Sequence, residues 1–196
     1  MKKMVLLIAG LSGTGKSNLC ERLAEKFRLH YYPTSSLLKQ LREKEFKKIR
    51  RKELGKNLGW FESTEGKKFL DERLRDSKTD ELLDRELLKL IGKGNVVLDS
   101  WTMPWLSKTG FKAWLTASDN VRFKRLAGRD KIAVKKIESI VREKEKKTAA
   151  LFRRIYGFEF GKDLEPFNLL VNTDNLSEKE VFGIVSGEVK RFYGLR

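Results

Sequence analysis

The sequence predicts an α/β protein: a parallel sheet of about five strands held between layers of helices. Three observations lead there. Short apolar runs alternate along the chain with stretches whose apolar residues recur at helical spacing, as expected of strands covered on both faces by crossover helices. The first apolar run passes through a glycine-rich turn directly into an amphipathic stretch, in "IAGLSGTGKSNLC" at 8–20. The length, 196 residues with 40% hydrophobic content, suits one domain with a real core and room for a small inserted subdomain.

Met4 to Ala9 (MVLLIA) reads as a strand buried on both faces. From Ser17 onward, Leu19, Cys20, Leu23, Ala24 and Phe27 form a helical stripe. "LHYYP" (29–33) is a second short strand, stopped by Pro33. Residues 35–91 are helical in pattern, with a break expected near 55–63, where glycines accompany Trp60 and Phe61. Leu83, Leu87, Leu90 and Ile91 share one face of the last helix there, and Gly92 and Gly94 end it. "NVVLDS" (95–100), "GFKAWLTA" (110–117) and "FNLLVNT" (167–173) supply three more strands. In the second of these, Phe111, Ala113 and Leu115 alternate with Lys112, Trp114 and Thr116. Helical patterns fill 119–128 and 132–155, and Val181, Ile184, Val185, Val189 and Phe192 stripe a closing helix.

Charge and composition narrow the classes of function. Lysine and arginine number 43 against 27 acidic residues, a net charge of +16, which attracts polyanions such as nucleotides or RNA. A lysine-rich surface with local pairing accounts for much of that excess. One cysteine, Cys20, and one histidine, His30, exclude an internal disulfide and a Cys/His zinc site. The apolar start is too short for a signal peptide, and no stretch reaches the ~20 apolar residues that cross a bilayer. A cytoplasmic protein is expected.

The glycine turn fits G-x-x-x-x-G-K-[ST] as Gly10-Leu-Ser-Gly13-Thr-Gly15-Lys16-Ser17. Glycines let successive amides curl around phosphate oxygens, and the following helix adds its positive end. In such a loop Lys16 reaches the β- and γ-phosphates and Ser17 ligates Mg²⁺. An acidic partner on a neighbouring strand completes the metal site, and Asp99, ending "VVL", is the candidate. Downstream, "VRFKRLAGRD" offers Arg122, Arg125 and Arg129, and the next helix offers Arg142, Arg153 and Arg154. Guanidinium forks neutralise the charge that phosphoryl transfer spreads over equatorial oxygens.

On these motifs the chain resembles the nucleoside monophosphate kinases. "RLAGRD" looks like the entry to the adenylate-kinase lid. "NVVLDSW", "REKEKKTAALFRRIYGFEF" and "PFNLLVNTDNLSEKEVFGIV" follow the P-loop in the order seen in archaeal-type cytidylate kinases. The resemblance covers nearly the whole chain except about twenty residues near 45–62. It implies a P-loop NTPase three-layer sandwich: a core of 1–33 and 95–196, a lid at about 128–157, and a helical acceptor-binding subdomain at 34–94. It implies ATP as phosphate donor, Mg²⁺ as cofactor and a CMP-type acceptor.

Residue by residue, the resemblance assigns ATP binding to Gly10, Ser12, Gly13, Thr14, Gly15, Lys16, Ser17 and Asn18, with Ser17 and Asp99 at the metal. It gives Arg125 the ATP base, Arg129 the moving phosphate and Arg142 the acceptor, with Lys16, Arg129 and Arg142 catalytic. Thr173 and Asn175 fall beside the adenine. Ser35, Lys39, Asp84, Arg85 and Trp101 fall in the acceptor site, while Asp80 is expected on an exposed helix face.

Three positions depart from the family. Lys39 and Trp101 stand where arginines that grip the acceptor are expected, and Leu151 stands where a lid arginine is expected. The donor half is thus intact and the acceptor half rebuilt. The basic segment at 45–62, with Trp60, Trp101 and Trp105, leaves open a kinase or ATPase acting on RNA or a ribonucleoprotein. A nucleotide-operated binding switch is a third class. A monomer or small homo-oligomer is expected.

Overall fold

In the computed structural model, which describes residues 3–42 and 64–195, five parallel strands form one sheet among the described residues, in the order β2-β3-β1-β4-β5. The strands are β1 (Val5–Gly10), β2 (His30–Pro33), β3 (Val96–Asp99), β4 (Phe111–Thr116) and β5 (Leu169–Asn172). Helix α1 (Lys16–Phe27) links β1 to β2, and α2 (Thr34–Arg42), α3 (Thr64–Arg75) and α4 (Lys78–Lys93) precede β3. A single turn, α5 (Met103–Leu106), lies between β3 and β4. The long pair α6 (Asp119–Asp130) and α7 (Val134–Tyr156) precedes β5, and α8 (Glu178–Tyr193) closes the fold. The break expected near 55–63 and the basic segment at 45–62 lie outside the described residues.

Strand β1 explains the layering. Its six residues are all buried, and pleating sends alternate side chains to opposite faces. Leu6 and Ile8 pack with Leu19 and Leu23 of α1 and Val181, Val185 and Val189 of α8. Val5 and Leu7 pack on the other face with Leu38, Phe69, Leu83, Leu87 and Met103. Burying each such side chain contributes roughly 1.5–3 kcal/mol, so β1 anchors both helical layers.

A third apolar cluster gathers Ala9, Trp114, Leu151, Phe152, Phe158 and Phe160. It corrects the simple alternation expected of β4: Trp114 is buried along with Phe111, Ala113 and Leu115. Strand β4 is central to this sheet, so its second face is covered by aromatic rings rather than solvent. Trp105 lies against the same cluster, stacked on Phe158 with centroids 4.3 Å apart. Its indole N–H donates to the carbonyl of Asp163 at 2.9 Å.

Strand β1 pairs with β3 on one side and β4 on the other, in parallel register. The chain order therefore reverses at the carboxyl end of β1, and the crevice opened there is where sheets of this kind bind ligands.

Candidate active site

The loop at that crevice has the backbone its glycines allow. Gly10 has φ 146°, and a Cβ there would stand 2.2 Å from the carbonyl oxygen of Leu115. Gly13 has φ 83°, and its Cβ would stand 2.7 Å from the carbonyl oxygen of Arg122. Both positions thus combine positive φ with close approach of another main chain, which only glycine tolerates. The Thr14 hydroxyl donates to the Leu11 carbonyl at 2.9 Å and closes the loop from within. No side chain caps the start of α1 and no acidic residue occupies its first turn, so its positive end faces the crevice.

Lys16 folds back across the loop, its ammonium donating to the Leu11 carbonyl at 2.9 Å. Burial holds its pKa below the usual lysine range, opposed by the nearby Asp99 carboxylate and helped by the positive charge of Lys144. The Ser17 hydroxyl donates to Asp99 Oδ2 at 2.8 Å. Asp99 reaches that position because β3 lies beside β1, with Ile8 opposite Asp99 in the register.

Arg125 of α6 meets Thr173, just after β5. The guanidinium donates to the Thr173 hydroxyl at 2.9 Å and to its carbonyl at 2.7 Å. Arg129 lies on the same helix and forks onto Asp130 at 2.6 and 2.7 Å. Arg122 serves a different purpose from the one its neighbours suggest. It is 2% exposed, and it donates to the Ser12 carbonyl at 3.0 Å, to Asp119 at 2.5 Å and to Glu145 at 2.8 Å. This buried guanidinium fastens the loop, α6 and α7 together.

The helical side of the crevice is also polar. Asp80, expected on an exposed face, is buried and receives both prongs of Arg73, at 2.9 and 2.5 Å. The reason is tertiary: α3 and α4 pack together, and the Arg73 guanidinium needs a carboxylate where no water reaches it. Asp84, one turn further along α4, accepts from the Thr102 hydroxyl at 2.9 Å and from the Tyr156 hydroxyl. Burial pushes its carboxyl up to about 6, against the pull of those two hydroxyls. Tyr156 lies at the end of α7, next to Gly157 with φ 79°.

Between the loop and these helices lies a cavity of about 560 Å³. Of the residues nominated from sequence, Ser12, Gly13, Gly15, Lys16, Ser17, Asn18, Ser35, Asp84, Asp99, Trp101, Arg125 and Arg129 line it. Gly10, Thr14 and Thr173 stand behind the wall and shape it. Arg142 does not line the cavity: its guanidinium pairs with Glu138 at 2.9 Å and Asp119 at 2.8 Å on the outer side of α7. Arg85 and Asn175 are exposed and also outside it. The side chain of Lys39, and Trp60, fall outside the described residues. Arg153 pairs with Glu159, and Arg154 donates to the Leu74 carbonyl, so neither turns inward.

Sequence reasoning missed Arg73, Lys144, Thr148 and Phe152, which line the cavity too. The last three carried a signal, since they recur four residues apart on one face of α7. Leu151, in place of an expected arginine, is fully buried in the aromatic cluster.

The donor set suits a hard divalent cation. A hydroxyl and a carboxylate stand 2.8 Å apart at the loop's mouth, and Mg²⁺ takes one or two protein oxygens with the rest from phosphates and water. Among the described residues no group of three or more His, Cys, Asp or Glu forms a protein-only metal cage.

The fold is similar to that of shikimate kinase from Bacteroides thetaiotaomicron, with a TM-score of 0.55 and 14% identity over 98% of this chain and 99% of that one. Shikimate kinase from Acinetobacter baumannii also has a TM-score of 0.55 and 14% identity, over 98% and 94%. With this fold and this site, the molecule is a P-loop phosphotransferase. The model of the cytidylate kinase-like family matches residues 5–175, and the chain belongs to that family. Curated cytidylate kinases resemble it along nearly their full length. The one from Sulfurisphaera tokodaii is 31% identical over 93% of each chain. That from Staphylothermus marinus is 30% identical over 96% of this chain and 98% of its own. That from Pyrococcus horikoshii is 27% identical over 95% and 88%.

Proposed function

We propose that this protein is an ATP-dependent nucleoside monophosphate kinase that transfers the γ-phosphate of ATP to CMP. The observation that carries the reading is the Ser17–Asp99 contact at the mouth of the glycine loop, in the same cavity as the carboxylates of α4. Donor and acceptor chemistry thus face each other across one space.

Main-chain amides of the loop and Lys16 hold the donor's polyphosphate. Ser17 and Asp99 would hold Mg²⁺, which would supply positive charge against the donor's phosphates. Arg125, fixed by Thr173, packs against the adenine, and Arg129 exchanges Asp130 for the moving phosphoryl group. An oxygen of the acceptor phosphate attacks the γ-phosphorus in line, the bond to the β–γ bridging oxygen breaks, and ADP leaves. The acceptor oxygen is already anionic, so no base need remove a proton. The buried carboxylates Asp80 and Asp84 face the acceptor base, and a carboxylate accepts from the exocyclic amino group of cytosine. Ser35 and Trp101 complete that wall.

The test is an acceptor panel: purified protein, ATP and Mg²⁺ with CMP, UMP, AMP or GMP, followed by separation of the nucleotides. CDP and ADP formed in equal amounts, with CMP preferred, support the reading. ATP loss independent of any nucleoside monophosphate but stimulated by RNA contradicts it. The nucleic-acid alternative rests on basic residues of 45–62 and Trp60, outside the described residues, on Trp105, which packs against the aromatic cluster, and on Trp101, which lines the cavity. Among the described residues no helix is long and apolar enough to cross a membrane.

A further inference from the structure

Helix α7 is fixed on the glycine loop by a specific contact. Glu145 accepts from the main-chain N–H of Ser12 at 3.1 Å and from Arg122 at 2.8 Å, while Arg122 also donates to the Ser12 carbonyl. A carboxylate and a buried guanidinium thereby set the register of the helix against the loop. One residue earlier, the Lys144 ammonium donates to the Ser12 hydroxyl at 3.0 Å. It stands 5.3 Å from the centroid of the Trp101 ring, and the Lys16 ammonium stands 5.8 Å from the same centroid. Two ammonium groups therefore converge on one indole at the mouth of the cavity.

Two like charges this close need anions nearby: Lys144 disfavours the positive form of Lys16, while the carboxylates of Asp99 and Glu145 favour it. Other cations of α7 point elsewhere. Arg142 pairs with Asp119 and Glu138, and Lys147 pairs with Asp71 and Glu143. Lys144 spans from Ser12, on the donor's loop, to Trp101, on the acceptor side, which is the path a phosphoryl group follows between them.

We propose that Lys144 is a catalytic residue that contacts the transferred phosphoryl group opposite Lys16, with the Trp101 ring positioning both ammonium groups. The inference rests on the kinase reading above. As the bond from the γ-phosphorus to the donor's bridging oxygen breaks and the bond to the acceptor oxygen forms, the equatorial oxygens keep their negative charge, and Lys144 stays with them. Its hydrogen bond to Ser12 holds it in place beforehand, so little reorganisation accompanies the reaction.

The test compares Lys144→Gln, which keeps a hydrogen-bond donor for Ser12 but removes the charge, with Lys144→Arg, which keeps the charge. Lys135→Met, an exposed lysine on the same helix, is the control. Turnover with ATP and CMP is expected to fall about 10²–10³-fold in Lys144→Gln, with a much smaller change in KM for CMP, and to return to within about tenfold in Lys144→Arg. Calorimetry gives a second readout that needs no acceptor: Lys144→Gln should lower the affinity for ATP relative to ADP, by up to about tenfold. Turnover within about threefold of the parent together with an unchanged ATP-to-ADP ratio would overturn the proposal. A parent protein that phosphorylates no nucleoside monophosphate would sink the acceptor reading alone, and the ATP-to-ADP ratio would still decide on Lys144.

Discussion

The two sides of the cavity are built differently. The glycine-loop side is made largely of main chain: Gly10 and Gly13 lie where a Cβ would strike another strand or helix, and Ser17, Lys16 and Asp99 decorate that frame. The helical side is made of side chains from separate helices: Arg73 from α3, Asp80 and Asp84 from α4, and Thr148 and Phe152 from α7. One side is a backbone shape that a contiguous motif specifies. The other is a set of long-range pairings, which can be altered one residue at a time while the frame stays intact. Trp101, on the cavity wall, and Leu151, buried in the aromatic cluster, both belong to that second kind of surface.

The sharpest way to break the comparison lies on the glycine-loop side. Lys16→Ala should reduce phosphotransfer about 10³-fold or more in a steady-state assay, with an unchanged circular dichroism spectrum. Near-parental turnover would remove the loop from the chemistry. Next, Gly10→Ala should destabilise the protein by about 4 kcal/mol in urea titration, because the new Cβ meets the Leu115 carbonyl at positive φ. A loss below about 1 kcal/mol would show that the frame is not rigid.

On the helical side the expected effects are a little smaller. Arg73→Met should cost about 3–4 kcal/mol, since it leaves Asp80 charged and buried without its partner. The double variant Arg73→Met, Asp80→Leu should recover most of that, which a purely steric role for Arg73 would not produce.

The smallest expected effect sharpens the comparison through pH. The carboxyl of Asp84 rises from 3.8 to about 6 in the folded protein, chiefly through burial, with Asp80 adding to the rise and Tyr156, Thr102 and Arg73 opposing it. A raised acid favours its neutral form when folded, so its stabilising contribution is present below pH 4 and lost as pH rises through 6. The stability of the parent relative to Asp84→Asn should therefore fall by about 2–3 kcal/mol between pH 4 and pH 6 and then level off. A flat difference would mean that Asp84 is solvated in the folded state.

How much of this was legible in the sequence follows the same divide. The strands and the glycine loop were readable because each is encoded within a few consecutive residues: an apolar run, then a spacing of Gly, Lys and Ser. The contact of Arg125 with Thr173, 48 residues apart, is not encoded in any short stretch, and the resemblance named the two residues without joining them. The burial of Asp80 is not legible, because a charge on a helix surface gives no sign of what packs over it; Arg73 of α3 reaches it only in the folded chain. The resemblance points to Arg142 and gives no sign of Lys144, because helical phase decides which side chain faces the cavity. Two positions along α7 amount to a rotation of about 200°, enough to put Arg142 on Asp119 and Lys144 on the loop.

Calorimetric titration of the parent protein and of Lys16→Ala with ATP in the presence of magnesium tests the donor site most directly. The parent should bind with one-to-one stoichiometry, and the heat should shrink or vanish in Lys16→Ala. No measurable heat with the parent at any attainable nucleotide concentration, or equal binding by both proteins, would contradict a polyphosphate cradle at residues 10–17.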